Sequence, residues 1–411
     1  MTVFQIIAIL ISLTAAFSYV NYRCFKLPPT IGVMLIALLA SAVLIGAGHF
    51  APWIREGAVQ LLAQIDFSQA LMQGMLCFLL FAGALQINLG ELAAQRGVIT
   101  TLALAGVVVS MFVFGTLMYW AFGWLGINLS YTWCLVFGAL ISPTDPVAVI
   151  GILKDAKVPL SLELQIAGES LFNDGIGVVA FIVMQDIVAT GQHAAAGPIA
   201  LLFLREALGG VAFGLVIGWI AYRLLKSVDN YRVEMMLTLA LVMGGYALAA
   251  VIDVSGPIAI VVAGLFIGNR GRRLAMSEIT RKNLDTFWEL IDEILNALLF
   301  VLIGLEILVL TFTRELFYAG LLAIPAILLA RWVSVAGPVT LMRRWRKFTP
   351  GTITIMTWGG LRGGISVALA LSLPAGPQRE TVLAATYLVV IFSILAQGLT
   401  LKSVVSGLVK R

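Results

Sequence analysis

The chain has 411 residues, of which 61% are hydrophobic and only 11% charged, with a net charge of +5. No soluble domain of this size hides that much apolar surface, so the composition reads as a polytopic membrane protein without a large soluble domain. Three cysteines, Cys24, Cys77 and Cys134, sit in or beside apolar runs and read as small apolar fillers, which leaves no disulfide or metal framework.

The first apolar run, MTVFQIIAILISLTAAFSYV, has no basic residue before it, and Arg23 and Lys26 follow it. That is the wrong flank for a secretion signal and the right one for a first spanning helix that starts outside. A span needs about 20 mostly apolar residues. In chain order the sequence predicts thirteen, near 2–20, 30–50, 66–88, 97–124, 130–152, 163–190, 201–222, 233–252, 255–269, 285–311, 316–342, 351–373 and 381–401. The ninth is short and opens on Gly256-Pro257.

Lysine and arginine alternate with these spans. The odd-numbered connections hold Arg23, Lys26, Arg96, Lys154, Lys157, Arg223, Lys226 and Arg232. They also hold Arg270, Arg272, Arg273, Arg281, Lys282, Arg343, Arg344, Arg346 and Lys347, and Lys402, Lys410 and Arg411 follow the last span. Only Arg55, Arg314 and Arg379 fall in even connections, while Arg205, Arg331 and Arg362 lie at or within spans. This bias places the N-terminus outside and the C-terminus in the cytoplasm. Thirteen divides into six, one and six. An odd linking helix inverts the second six, which is the inverted-repeat plan of secondary transporters. The fifth and twelfth spans are then counterparts running antiparallel.

Both counterparts break the rules for a helix. The fifth contains Ser142-Pro143-Thr144-Asp145-Pro146, where two prolines remove two backbone donors. The twelfth contains Gly359-Gly360-Leu361-Arg362-Gly363-Gly364, four glycines around one arginine. Broken backbone at membrane depth is tolerated where it lines a cavity, and its freed carbonyls can bind a cation.

The sixth span follows the first break with AGESLFNDGIG, residues 167–177. Four-residue spacing puts Ser170 over Asp174 and Glu169 over Asn173, while Asn173 and Asp174 lie about 100° apart round the axis. Gly168, Gly175 and Gly177 allow another backbone to come close. Ionisable groups inside a membrane are functional candidates whose partner must be named. Arg362 is assigned to Glu169 as a stabilising ion pair, which leaves Asp174 to bind something positive. Asp145, between its prolines, either caps a broken helix end or helps to hold the ion.

In the tenth span Glu289, Asp292, Glu293 and Asn296 recur at helical spacing near the basic connection. They read either as a wet helix face paired with Arg281 or Lys282, or as an acidic funnel that concentrates cations. Arg270, Arg272 and Arg273 set orientation and meet anionic lipid. His49 and His193 lie in outside connections, too peripheral for a proton relay or a metal cluster.

SPTDPVAV, then GESLFNDGIGVV, then GGLRGG, each on its expected span, resembles the monovalent cation–proton antiporters of the sodium–proton exchanger family, in the prokaryotic NhaP-type branch. The resemblance runs along the whole chain. It implies an all-α polytopic protein of about thirteen transmembrane helices in two inverted repeats, with broken helices crossing in the core. It implies a homodimer in which residues 1–90 and 229–312 form the scaffold, 91–192 and 313–411 the moving core, and 193–228 the linking helix. The Asn173-Asp174 pair matches the family's Asn-Asp pair, with Asp174 the carrier. Thr144, Asp145 and Ser170 complete a site for sodium or lithium, and Glu169 with Arg362 is the stabilising pair. Some archaeal relatives carry an acid in the third span where this chain has Ala82, in Phe81-Ala82-Gly83-Ala84-Leu85.

The implied activity is exchange of sodium or lithium for protons across the cytoplasmic membrane, with no enzymatic chemistry, cofactor or nucleic-acid partner. Because an amide at Asn173 cannot titrate, one proton trades for one cation. Potassium–proton exchange by the same scaffold is the nearest alternative. From other classes, a cation channel needs a continuous path. An intramembrane aspartyl protease needs a Gly-x-Gly-Asp motif, whereas here glycine follows Asp174.

Overall fold

Apolar runs punctuated by proline and glycine fold here entirely into helices; no strand occurs among the described residues. The computed structural model describes residues 3–48, 52–62, 66–156, 158–190, 196–310 and 313–409. His49, His193, Lys157, Lys410 and Arg411 lie outside them.

The helices in chain order are α1 (Val3–Val20), α2 (Pro29–Ala47), α3 (Pro52–Leu62), α4 (Phe67–Gln69), α5 (Leu76–Gln86), α6 (Leu89–Trp124), α7 (Tyr131–Ile141), α8 (Val147–Asp155), α9 (Leu160–Thr190) and α10 (Ala196–Lys226). They continue as α11 (Tyr231–Val251), α12 (Gly256–Phe266), α13 (Arg272–Ala275), α14 (Glu278–Glu306), α15 (Arg314–Met342), α16 (Thr352–Trp358), α17 (Gly364–Leu371), α18 (Pro377–Phe392) and α19 (Gly398–Val409). Wider π-helical turns extend or join several of them, at Asn21–Phe25, Ala70–Met75, Ile267–Gly271 and Ser393–Gln397. The third expected span is thus α4, a π-helical stretch and α5 in series.

Among the described residues nine helical segments are long and apolar enough to cross a membrane. The remaining expected spans coincide with the broken pairs α7–α8 and α16–α17, the short α12, and the charge-bearing α14. Helix α12 starts as its sequence demands: the Ser255 hydroxyl accepts from the Ile258 amide, and Pro257 stands in the first turn. Helix α3 was not expected as a separate element.

Local chemistry explains both breaks. Helix α7 ends at Ile141 because Pro146 has no N–H to offer the Ser142 carbonyl, four residues earlier. Helix α16 stops at Trp358, and the backbone resumes as a helix only at Gly364. By contrast Pro325 and Pro338 lie inside α15 without ending it.

Two large apolar clusters hold the helices together. One gathers α6, α7, α8, α9 and α15 to α19, with residues from α1, α2, the start of the third span and the second half of α14. The other joins α5 to α10, α11, α12 and the first half of α14. A cavity lies between them.

Candidate functional site

The two breaks meet. The Asp145 amide donates to the Leu361 carbonyl at 2.8 Å, joining one interrupted backbone to the other. The Arg362 guanidinium donates to the Ser142 carbonyl and, at 2.8 Å, to the Pro143 carbonyl. Pro146 denies the first of these carbonyls its helical donor, and the interruption of the helix leaves the second without one. In return the Asp145 carboxylate packs so tightly on Gly363 that any side chain there would strike it. That places a negative charge at the N-terminal end of α17 and a positive one at the C-terminal end of α7, each favourable to its helix dipole. The Arg362 amide donates to the Ser393 hydroxyl at 2.8 Å, fixing the second break to the following span.

The ion pair expected between Glu169 and Arg362 is not the one formed. Glu169 accepts both terminal nitrogens of Arg331, from Nη1 to Oε1 and from Nη2 to Oε2 at 2.8 Å. Arg362 is occupied by the carbonyls of the first break, and a guanidinium at mid-span is satisfied by carbonyl oxygens as well as by a carboxylate. Arg331, in the middle of α15, also donates from Nε to the Met356 carbonyl at 3.3 Å and passes over Gly360, whose missing side chain gives it room. One residue thus ties α15 to α9 and to the end of α16. The sequence signal was available: Arg331 is an intramembrane arginine, and such a residue demands a partner.

Asn173 spends its side chain on Thr144. Its Oδ1 accepts from the Thr144 amide at 3.3 Å, and its Nδ2 donates to the Thr144 hydroxyl at 2.8 Å. That hydroxyl also hydrogen-bonds with the Ser170 hydroxyl at 3.0 Å. All three residues are buried. Of the three glycines expected to admit a neighbouring backbone, Gly177 faces the Pro143 ring of the first break, and Gly168 and Gly175 face isoleucine and leucine side chains.

Asp174, about 100° round α9 from Asn173, makes no hydrogen bond or ion pair among the described residues and is 8% exposed. It lines a cavity of about 420 Å³ together with Thr144 and Asp145. Ser170 and Asn173 do not reach that wall; they stand behind it and hold Thr144. The cavity runs from Asp174 to exposed residues at the basic end of the helices. Lys154 and Glu163, 3.9 Å apart, stand at its rim beside Asn88 and Glu91.

Only part of the anticipated acidic funnel faces this space. Asp292 and Asn296 line it, one turn apart on α14, whereas Glu289 and Glu293 are exposed on other sides of that helix. Arg272 is turned inward to Asp285, leaving Arg270 and Arg273 exposed. Ala82 is fully buried in packing, and its neighbour Gly83 lines the cavity. Ser366, which the sequence did not single out, lines the same cavity with a buried hydroxyl that has no hydrogen-bond partner among the described residues. No grouping of three histidine, cysteine or carboxylate side chains suited to a metal occurs among the described residues. What the arrangement offers at the crossing is a carboxylate without a partner among the described residues, a second carboxylate and a hydroxyl at the inner end of a cavity.

Known proteins resemble this chain in sequence and in fold. The family model for the sodium/hydrogen exchanger, transmembrane, matches residues 9–407. The chain is 50% identical over 402 residues to the Na(+)/H(+) antiporter NhaP of Pseudomonas aeruginosa, covering 97% of this chain and 95% of that one. It is 34% identical to the Na(+)/H(+) antiporter NhaH of Halobacillus dabanensis, over 94% of this chain and 93% of the relative. Among solved structures, the sodium proton antiporter MjNhaP1 of Methanocaldococcus jannaschii superposes with a TM-score of 0.79 at 18% identity, over 100% of both chains. That fold, this crossing of two breaks and a family match over nearly the whole chain converge: the chain belongs to the transmembrane sodium/hydrogen exchanger family.

Proposed function

We propose that the protein exchanges sodium or lithium for protons across the cytoplasmic membrane, one for one, with both competing for Asp174. The observation that carries this reading is the state of that carboxylate. Every other charged side chain at the crossing of the breaks has a partner: Glu169 has Arg331, and Arg362 has two carbonyls. Asp145 gives its backbone amide to Leu361 and rests its carboxylate on Gly363. Asp174, at the crossing itself, faces the cavity with neither hydrogen bond nor ion pair among the described residues. An unpartnered carboxylate is costly away from bulk water, so it must be neutralised before its surroundings can close. A proton and a monovalent cation each achieve this, and one carboxylate cannot take both. Exchange follows from that competition, with Thr144 and Asp145 supplying further oxygen ligands and Ser170 and Asn173 keeping Thr144 in place.

The names of the relatives support sodium and the proton as substrates. The cluster that joins α5 to α10, α11, α12 and α14 supports a scaffold of residues 1–90 and 229–312, with α10 as the link, against which a core of residues 91–192 and 313–411 moves. The charge bias supports an N-terminus outside and an open cavity toward the cytoplasm. A homodimer in contact with lipid, with Arg270 and Arg273 at the headgroups, completes the reading.

The test uses purified protein in acid-loaded liposomes. Adding sodium to the outside should alkalinise the lumen at once, and lithium and potassium in turn give the selectivity. Asp174→Asn keeps the shape of the side chain and removes its charge. It should give a protein that melts like the parent and exchanges nothing. Substantial exchange by Asp174→Asn would remove that residue from the centre of the mechanism.

A further inference from the structure

A buried hydroxyl on a helix can spend its proton on the carbonyl one turn back, as Ser142 does on Gly138 at 2.6 Å and Thr386 on Val382 at 2.7 Å. Ser366 cannot. It stands in the first turn of α17, and the residue four before it, Arg362, belongs to the break. Its hydroxyl is left buried without a hydrogen bond among the described residues, on a residue only 1% exposed. Such a group is costly, and a bound ion is among the explanations for it in a native structure. Ser110, Thr357 and Tyr387 also bury hydroxyls without a partner among the described residues, but none of them lines the cavity that holds Asp174.

Packing carries Ser366 to the acids. Gly363 occupies the capping position of α17 but has no side chain to cap with, and the Asp145 carboxylate rests against it instead. Ser366 follows three residues later, on the same face. Side chains in a helix lean back toward its N-terminus, so the Ser366 hydroxyl leans toward Asp145. On α9, Gly177 packs against the Pro143 ring, and Asp174 lies three residues earlier on that face. Asp174, Asp145 and Ser366 therefore border one stretch of the cavity.

The lone pairs decide what Ser366 adds. A hydroxyl oxygen has two. Thr144 accepts from Asn173 Nδ2 and shares a hydrogen bond with Ser170, which leaves its oxygen one lone pair at most. Ser366 keeps both among the described residues. We propose that Ser366 is a direct ligand of the transported cation, its hydroxyl oxygen joining the carboxylates of Asp174 and Asp145. The inference rests on the exchange reading, in which proton and cation compete for Asp174. A hard monovalent cation takes oxygen ligands, whereas a neutral hydroxyl offers a proton no basic site. Ser366 therefore strengthens the hold on the cation and leaves the hold on the proton as it was. It tilts the competition toward the cation from the half of the chain that does not contain the carboxylates.

Ser366→Ala in the full-length protein tests this. The variant gives up no hydrogen bond of the Ser366 hydroxyl, so it should melt like the parent. Its affinity for radioactive sodium, read by direct binding in detergent, should fall several-fold. In liposomes the KM for sodium should rise by the same factor at every pH, with kcat unchanged, because protons still meet the same carboxylate. A sodium affinity equal to the parent's overturns the proposal. So does a KM that departs from the parent's at one end of the pH range only, which would make Ser366 act through Asp174. Ser366→Cys keeps the size of the side chain and replaces oxygen by soft sulfur. It should weaken sodium binding several-fold and thallous-ion binding much less; an unchanged ratio of the two shows that residue 366 does not touch the ion. A parent protein that binds sodium but exchanges none would overturn the exchange reading, while the binding measurements still decide whether Ser366 is a ligand.

Discussion

Removing the Glu169 carboxylate should destabilise the core more than any other single change at the crossing of the breaks. The side chains of Glu169 and Arg331 are 1% and 7% exposed, so the small energies typical of surface ion pairs do not apply. Glu169→Ala deletes both charge-assisted hydrogen bonds and leaves Arg331 with its one bond to the Met356 carbonyl at 3.3 Å. Breaking a buried pair by removing one partner costs about 3–5 kcal/mol, because the remaining charge is uncompensated. Removing both partners in favour of apolar groups costs far less. A double-mutant cycle on Glu169→Ala and Arg331→Met should therefore show coupling near the top of the ~0.5–3 kcal/mol range for residues in one network. The parallel cycle with Arg362→Met should show less, since Arg362 holds Ser142 and Pro143 rather than Glu169. The assay is reversible unfolding in mixed micelles titrated with dodecyl sulfate. Coupling to Arg362 as large as coupling to Arg331, or a Glu169→Ala protein as stable as the parent, would refute the reasoning.

Two further outcomes follow from the site. With Asn173 an amide and Glu169 locked to Arg331, one proton should trade for one cation, and no net charge should move. A transmembrane voltage acts at roughly 2.3 kcal/mol per charge per 100 mV. The sodium gradient that balances a fixed pH gradient should therefore stay put when liposomes are clamped at zero and then polarised with potassium and valinomycin, once potassium is shown not to be exchanged; a balance point that moves with voltage reveals a second titrating group, with Asp145 first in line. Gly363→Ala introduces a methyl group against the Asp145 carboxylate. Overpacking of that kind typically costs about 1–3 kcal/mol, and here it should appear as a higher KM for sodium in a folded protein, whereas an unchanged KM would show that Asp145 moves aside freely.

The breaks were legible in the sequence because proline and glycine act on their own backbone, whatever surrounds them. The positions of the helices were legible for a related reason: the length of an apolar run and the alternation of basic connections are local properties. The partner of Glu169 was not. Arg331 and Arg362 both lie within spans, and the choice between them depends on which carbonyls the first break leaves bare and on where α15 crosses α9. Neither is a property of local sequence. The same limit applies to α14. Helical spacing grouped Glu289, Asp292 and Glu293, but only packing decides that Asp292 faces the cavity while the other two turn away. The sequence grouped Asn173 with Thr144 and Ser170 as ligands of an ion, and its hydrogen bonds as a clamp on Thr144 emerge only from the way α9 meets the interrupted backbone.

The joint between the breaks bears on how such a protein can vary. Arg362 completes carbonyls that lie 219 and 220 residues earlier in the chain, and the Leu361 carbonyl receives the amide of Asp145. Neither stretch is a finished object without the other. A recombinant that inherits SPTDP from one parent and GGLRGG from a distant one is sound only if the two lineages kept the same fit, because a mismatch strands a guanidinium or two carbonyls in the middle of a membrane. The smallest part of this machine that can be exchanged between lineages is therefore neither a helix nor a motif, but a pair of motifs drawn from opposite halves of the chain.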